Sequence, residues 1–588
     1  MNPLGCREPD QNLKIGKIIE VDGSHIKAEL DKSIDELTRI YNAEVYKIGQ
    51  YGSILKSYFG NKLLFMYVTR LRMKSEIEAE RGFVTPPSED SRILEADLFG
   101  EGVWKISCDQ SEPKCTLKFE RGISTYPLPQ QEIYITTSTE LQSIYECKDK
   151  EAVKIGTYVG SGSIPCLANI NELFSKHTAV LGSTGSGKSA TVAAIIHANL
   201  SYNPGVDINN NNKSWHPHII ILDPHNEYHK AFPEAHRLVS DEGSLKLPYW
   251  LLNLQELIDL FIGKTEFQAT SQTNILKMAL IEARKEGIKQ IGFTEGEISV
   301  DSPVPFSLDT LITKITDDMM KISAQSKRDK HENILNKIDL LKRDVRLKFL
   351  MDNWTSGVDE IKEVISQFIS SENTLKIVDL SGIPNDVAGI VSSTIARLLF
   401  MYKLWETSEE RKKDPILLVC EEAHRYVPNR GEAEYSAAQD AVKRVAKEGR
   451  KYGLGLMLIS QRPSEIEPTV LSQCNSWLVL RLTNGDDQAF VMKFLPDSLS
   501  SLGKILPALR RREAIFIGQA ATIPSRILIN ELNQEQLPCS NDISFIDGWS
   551  SDLDGDDRNR IQEVSNRWRI QLRSPFEGAS KEAESHEE

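Results

Sequence analysis

Between about Leu13 and Ile155 the apolar positions come in short alternating or β-branched runs, at 15–21, 25–30, 52–58, 63–68, 93–98 and 133–136. Turn residues separate several of them, as in Asp22-Gly23-Ser24 and Phe59-Gly60-Asn61. Alternation sends every second side chain to one face, so short strands at this spacing predict a small barrel or sandwich. A glycine-rich connector is expected over 154–175, with Gly156, Gly160 and Gly162.

The pattern then changes to continuous apolar runs separated by helical periodicity. Strands are predicted at 178–181, 218–222, 375–380, 416–420, 455–460, 476–482, 513–517 and 526–529, and helices at 191–200, 386–404 and 434–451. Runs without alternation are what strands buried on both faces look like, which predicts an α/β core with a mainly parallel sheet. Segment 243–370 reads as a helical insertion. Ile312, Ile315, Met319 and Ile322 recur at helical spacing, as do Ile334, Ile338, Leu341 and Val345, and these stripes are read as core packing. The polar stretch 203–218, with its asparagine-rich run 209–213, reads as a surface loop. After about Gln536 the chain turns polar: 542–557 is loop-like, 558–571 helical and 578–588 disordered. The expected domains are a β-barrel over 1–153, an α/β domain over 154–540 and a tail over 541–588.

Composition changes this little. The 588 residues suit two or three domains, and 40% apolar with 26% charged is ordinary for a soluble globular protein. No run of roughly 18 uninterrupted apolar residues occurs, so no membrane-spanning helix is expected. The first residues lack a signal peptide's apolar core. The eight scattered cysteines show no metal or redox spacing, and a reduced, cytoplasmic protein is the expectation. A net charge of −14 argues against a generally basic surface for nucleic acid, while leaving room for a local basic channel.

Chemistry concentrates at 182–189. Gly182, Ser183, Thr184, Gly185, Ser186, Gly187, Lys188 and Ser189 fit G-x-x-x-x-G-K-[ST] at every fixed position, between a predicted strand and a predicted helix. Glycines let the backbone approach an anion, and amides with the helix N-terminus supply partial positive charge. Lys188 adds a cation for the β- and γ-phosphates, and the Ser189 hydroxyl can ligate Mg²⁺. Ala190 and Thr191, at the start of the helix, are assigned to the same cradle. ATP and Mg²⁺ are therefore the expected cofactors.

Further candidate positions follow from where strands and helices end. Glu421 and Glu422 end the apolar run 416–420 downstream of this loop; Glu421 is assigned to the metal and Glu422 to the attacking water. Gln461, after run 455–460, can hold the water or γ-phosphate. Arg450, at a helix end, is the candidate to reach a neighbouring subunit's γ-phosphate, with Arg444 in reserve; pairing with the helix dipole is the alternative for both. Asp223 and Glu227, after run 218–222, also fall at a strand's carboxyl edge. Lys327, Arg328, Lys330, Lys342, Arg343, Arg346 and Lys348 are either a solvated face or a nucleic-acid contact.

Taken together, the loop at 181–189, Ile377-Val378-Asp379-Leu380-Ser381-Gly382-Ile383-Pro384, Cys420-Glu421-Glu422-Ala423-His424, the runs at 448–453 and 460–463, Ser472-Gln473-Cys474-Asn475 and Arg481-Leu482-Thr483-Asn484 resemble the HerA branch of the HerA–FtsK ATPases, in the same order. Val21-Asp22-Gly23 and the run 48–53 resemble that family's small HAS barrel. The resemblance implies a RecA-like motor, a homohexameric ring and ATP-driven translocation of double-stranded DNA. It also implies a nuclease partner, often NurA, in end resection, or a nuclease or sirtuin-like NAD-hydrolysing effector in antiphage defence. Glu421 departs from the family's more usual Asp by one methylene, with the charge retained. An ATPase that gates a partner without unwinding, and a conjugation-type pump, are the competing readings.

Overall fold

The computed structural model describes residues 9–32, 34, 37–109, 112–146, 151–159, 164–205, 214–263, 269–294, 296, 298–370, 372–429, 436–494, 503–539, 545–550 and 557–571. The chain forms two compact units, one of Met1–Leu173, Val180–Ala198 and Asn475–Glu531, the other of Phe174–Ala179, Asn199–Cys474 and Leu532–Glu588.

In the first unit the alternating runs do form a barrel. Its strand order is His25–Leu30, Lys14–Asp22, Glu132–Ile135, Ile54–Phe59, Lys62–Met73 and Arg92–Asp109, and the last pairs back to the first. Closure removes the free edges that an open sheet would expose. Strand His25–Leu30 shows the cause: Ile26, Ala28 and Leu30 are buried while the residues between them are not. Strand Glu112–Arg121, which extends the sheet beside Arg92–Asp109, and the hairpin Thr38–Tyr41 with Glu44–Lys47 are not among the runs expected from alternation.

The connector expected at 154–175 is instead largely a hairpin, Ala152–Tyr158 paired with Pro165–Asn169. A β-carbon on Gly156 would lie 2.3 Å from the Leu528 carbonyl oxygen, so this glycine allows close strand approach. The hairpin continues antiparallel through Ser525–Ile529, Glu513–Gly518 and Ser476–Val479. The barrel is tied to this sheet by Tyr67 Oη, which donates to the Pro524 carbonyl at 2.7 Å, and by Arg121, which donates to the carbonyls of Ala521 and Thr522.

The second unit carries the parallel pairing, in the order Leu454–Ser460, Ile416–Cys420, His218–Asp223, Leu375–Asp379, His236–Val239. The first four strands are buried along their whole length, which is why they read as apolar runs. Strand His236–Val239, half-buried at its start, has no such run. Helix Asn385–Trp405 contains a stretch, Val387–Trp405, that by length and composition could cross a membrane, but 72% of it is buried in the protein.

The 243–370 segment is helical, including Leu254–Phe261, Ala269–Gln290, Leu308–Met320, Gln325–Arg343 and Ile361–Ile369. Ile315, Ile334, Ile338 and Leu341 are core, as their spacing predicts. Val345 is exposed instead, because the helix stops at Arg343 and Asp344 starts a new turn. Several of its basic residues are engaged locally: Lys330 with Ser271, Lys342 with Asp309, Arg343 with Asp339, Arg346 with Asp344, and Arg328 with the Ile322 carbonyl. Near the C-terminus, Phe545–Ser550 is helical where a loop was expected, with Phe545 and Trp549 meeting edge to face one turn apart. Helix Asp557–Ile570 stands where a helix is expected over 558–571. Residues 578–588, the run 209–213, Gly160 and Gly162 lie outside the described residues.

Candidate nucleotide site

The phosphate-binding loop belongs to the first unit. It leaves strand Thr178–Leu181 and enters helix Lys188–Leu200. Gly185 and Gly187 take positive φ, 72° and 97°, which an L side chain resists. A β-carbon on Gly182 would sit 2.6 Å from Ser186 Oγ and 2.9 Å from Leu480 Cβ, so bulk is excluded there as well. The loop is held from outside. Ser183 N donates to the Arg481 carbonyl at 2.8 Å, Thr483 N donates to Ser183 Oγ at 3.0 Å, and Arg512 N donates to the Ser186 carbonyl at 3.4 Å. Lys188, 5% exposed, folds back over the loop and donates to the Ser183 carbonyl at 3.3 Å. Thr191 Oγ1 donates to the Gly187 carbonyl at 2.9 Å, so its hydroxyl ties the first helical turn to the loop. Ser186 Oγ is buried without a hydrogen-bond partner among the described residues. A preformed concave loop with one unsatisfied hydroxyl and a buried lysine fits a polyphosphate anion.

The acidic residues belong to the second unit, at the carboxyl edge of its parallel strands. This is where ligands collect in such sheets. Glu421 and Glu422 follow strand Ile416–Cys420 and are 3% and 4% exposed. Glu421 accepts from Tyr228 Oη at 2.7 Å, and its N–H donates to the Leu222 carbonyl at 3.2 Å. Burial, then the Glu421 carboxylate, keep the Tyr228 phenol protonated far above its usual range. Glu422 sits in the left-handed region, φ 51° and ψ 51°. An L residue there costs about 1–3 kcal/mol, a strain that collects at working sites. Gln461 Nε2, just past strand Leu454–Ser460, donates to Glu422 Oε1. His424 Nδ1 lies 3.2 Å from Glu422 Oε2 and 3.2 Å from Ser460 Oγ. Burial holds the His424 imidazole below its usual range, with the Glu422 charge opposing. Glu422 and Gln461, chosen separately from sequence, thus form one hydrogen-bonded pair.

Arg450 lies elsewhere. It is exposed in the turn Gly449–Tyr452, before strand Leu454–Ser460, whereas Gln461 follows that strand. Seven strand residues separate them by roughly 20 Å. Its side chain makes no hydrogen bond or ion pair with the described residues. Arg444 is occupied: its guanidinium lies 4.6 Å from the Phe400 ring centroid and 3.8 Å from Glu448.

Residues that the sequence did not single out complete the edge. Tyr228 joins two acids, since its N–H donates to Asp223 Oδ2 at 2.9 Å while its hydroxyl serves Glu421. At Asp223, which the sequence also puts at this edge, burial, with the charges of Asp379 and Glu227, pushes the carboxyl up to about 6 against the N–H groups of Tyr228 and His225. Asp379 stands beside it in register on the next strand. The signal for Tyr228 was only its place in Asp223-Pro224-His225-Asn226-Glu227-Tyr228, just past a strand end.

The chain is similar to known proteins over much of its length. A family model described as "Helicase HerA, central domain" matches residues 153–399. The DNA double-strand break repair helicase HerA of Pyrococcus furiosus is 26% identical over 455 residues, covering 71% of this chain and 77% of the relative. Its namesake from Sulfurisphaera tokodaii is 28% identical over 435 residues, covering 72% and 77%. Among solved structures, VirB4 of Thermoanaerobacter pseudethanolicus aligns at TM-score 0.44 with 15% identity, covering 66% of this chain and 98% of that one. The plasmid coupling protein TrwB with a non-hydrolysable ATP analogue aligns at TM-score 0.45 with 12% identity, covering 69% and 95%.

Proposed function

We propose that this chain, which belongs to the HerA family, is an ATPase that translocates double-stranded DNA as a homohexameric ring, working with an effector. The observation that carries the reading is a complete phosphate loop, with Lys188 folded over it, in a chain whose other unit presents the Glu421–Glu422 edge with Gln461 bound to Glu422. In this reading residues 182–191 cradle the triphosphate of ATP and Lys188 neutralises its β- and γ-oxygens. Glu422 takes the proton of the attacking water, and Gln461 orients both. Ser189 and Glu421 hold Mg²⁺, which supplies charge neutralisation on the phosphates when bound. The donor chemistry fits: one hydroxyl and one carboxylate, with phosphate oxygens and water completing a hard-cation shell. Arg450 serves the neighbouring subunit, as its distance from its own Gln461 supports.

The effector is a NurA-like or other nuclease, or a sirtuin-like NAD hydrolase, in antiphage defence or DNA end processing. A cytoplasmic location goes with that role. ATP hydrolysis measured with and without duplex DNA tests the reading. Duplex is expected to raise turnover, and the stimulation to collapse as salt rises, because phosphate contacts release counterions. Hydrolysis indifferent to duplex at low salt would overturn the motor and leave an ATPase that only gates a partner.

A further inference from the structure

Beside the phosphate loop, in the same unit, runs Arg510-Arg511-Arg512-Glu513. It is a tight turn: Glu513 N donates to the Arg510 carbonyl at 3.1 Å, and Arg512, third in the turn, has φ 70°. That position suits glycine or asparagine, so an arginine is held there against its preference. The restraints are visible on both sides. Arg510 N donates to Glu513 Oε2 at 3.0 Å, and Glu513 is itself buried against Arg526 at 2.6 Å. Arg512 Nη2 donates to the Ile529 carbonyl at 3.0 Å, and Nη1 lies 3.3 Å from Glu531. The Arg512 N–H reaches the loop itself, at the Ser186 carbonyl.

This clamp leaves Arg511 at the apex, against the loop. Its Cγ lies 3.7 Å from where a β-carbon on Gly187 would stand. The side chain is exposed and has no hydrogen bond or ion pair with the described residues. A guanidinium in this position can reach over the middle of the loop, where amides receive α- and β-phosphates. Lys188, by contrast, serves the β- and γ-oxygens. Planar N–H pairs match phosphate oxygens two at a time, which a lysine cannot do.

We infer that Arg511 is a nucleotide-binding residue acting in its own protomer, donating to the α/β-phosphate side of a bound adenine nucleotide. The inference rests on the reading of residues 182–189 as a nucleotide site. The position would make the turn 510–513 a second wall of that site, contributed by the segment between strands Ser476–Val479 and Glu513–Gly518.

The test is binding of fluorescently labelled ATP and ADP to the full-length chain, wild type against Arg511→Ala, Arg511→Lys and Lys188→Ala, with steady-state hydrolysis alongside. Arg511→Ala is expected to raise Kd for ATP and ADP by the same factor, about 10- to 100-fold, the worth of a charge-assisted hydrogen bond. KM should rise in step while kcat stays within about twofold, as for uniform binding lost. Arg511→Lys should fall between. Thermal unfolding without nucleotide and oligomer size should match wild type, since the residue is exposed. Unchanged Kd values in Arg511→Ala, with Lys188→Ala defective, would overturn the inference and leave the nucleotide site standing. A loss for ATP alone would place the arginine on the γ-phosphate and overturn it too, as would a change of oligomer size that accounts for the loss. Wild-type protein that binds neither nucleotide would remove the underlying reading itself.

Discussion

Tyr228→Phe removes one oxygen atom from a side chain with no solvent exposure and leaves its ring in place. The packing is unchanged, so the effect isolates the 2.7 Å hydrogen bond to Glu421 Oε2. Glu421 is 3% exposed, and water cannot readily replace the lost donor. A hydrogen bond to a buried carboxylate is worth about 1.5–3 kcal/mol. Part of that should appear as a lower unfolding free energy. Because the phenol stays protonated far above neutral pH, the loss should be independent of pH between 6 and 9, the range of the assay. The larger consequence concerns the metal. A partner that orients a ligating carboxylate typically accounts for about 10–100-fold in metal affinity. The Mg²⁺ concentration giving half-maximal ATP hydrolysis should rise by that order in Tyr228→Phe, with kcat largely restored at saturating Mg²⁺. Denaturant unfolding paired with a Mg²⁺ titration of turnover measures both. Lower stability with an unchanged Mg²⁺ dependence would refute the assignment of Glu421 to the metal.

Other expectations concern the remaining members of the site. Lys188→Ala should reduce hydrolysis to background. Glu422→Gln should slow hydrolysis by about 10²–10⁴ and retain bound ATP, read by single-turnover kinetics; full turnover would remove Glu422 as the base. Arg450→Ala should lose about 10³–10⁵ in rate yet regain activity when mixed with Lys188→Ala, because some mixed interfaces then hold one intact loop and one intact arginine. No recovery in mixed assemblies would count against a residue acting between subunits. His177, buried with Nδ1 accepting from Leu456 N and Nε2 donating to the Ala446 carbonyl, is pushed down to about 4, mainly by burial. Its folded value lies below its unfolded one, so its share of stability is present above about 6.5 and lost as pH falls towards 4. His177→Gln should flatten that part of the stability–pH curve.

What could be read from sequence follows from burial. Strands Thr178–Leu181, His218–Asp223 and Ile416–Cys420 have both faces covered, so their apolar runs stand out and the polar residues after them mark the sheet edge. The barrel showed itself through alternation at His25–Leu30 and similar runs. The hairpin at Ala152–Tyr158 did not, because Gly156 reads as a loop until the Leu528 carbonyl is seen against it. Glu422 could be named as an acid, but its left-handed backbone and its bond to Gln461 are tertiary facts. Tyr228 was invisible for the same reason: a tyrosine past a strand end has no signature until a buried carboxylate is placed on its hydroxyl. Arg511 is one of three consecutive arginines, and only the turn at Arg512 separates it from its neighbours.

Movement along duplex DNA is the central claim, and displacement of a fluorescent third strand from a triplex at the end of a long duplex measures it directly. Wild-type protein with ATP and Mg²⁺ should release the third strand after a lag that lengthens with the duplex, and Lys188→Ala should release none. Hydrolysis that proceeds normally on the same duplex while the third strand stays bound would contradict the account.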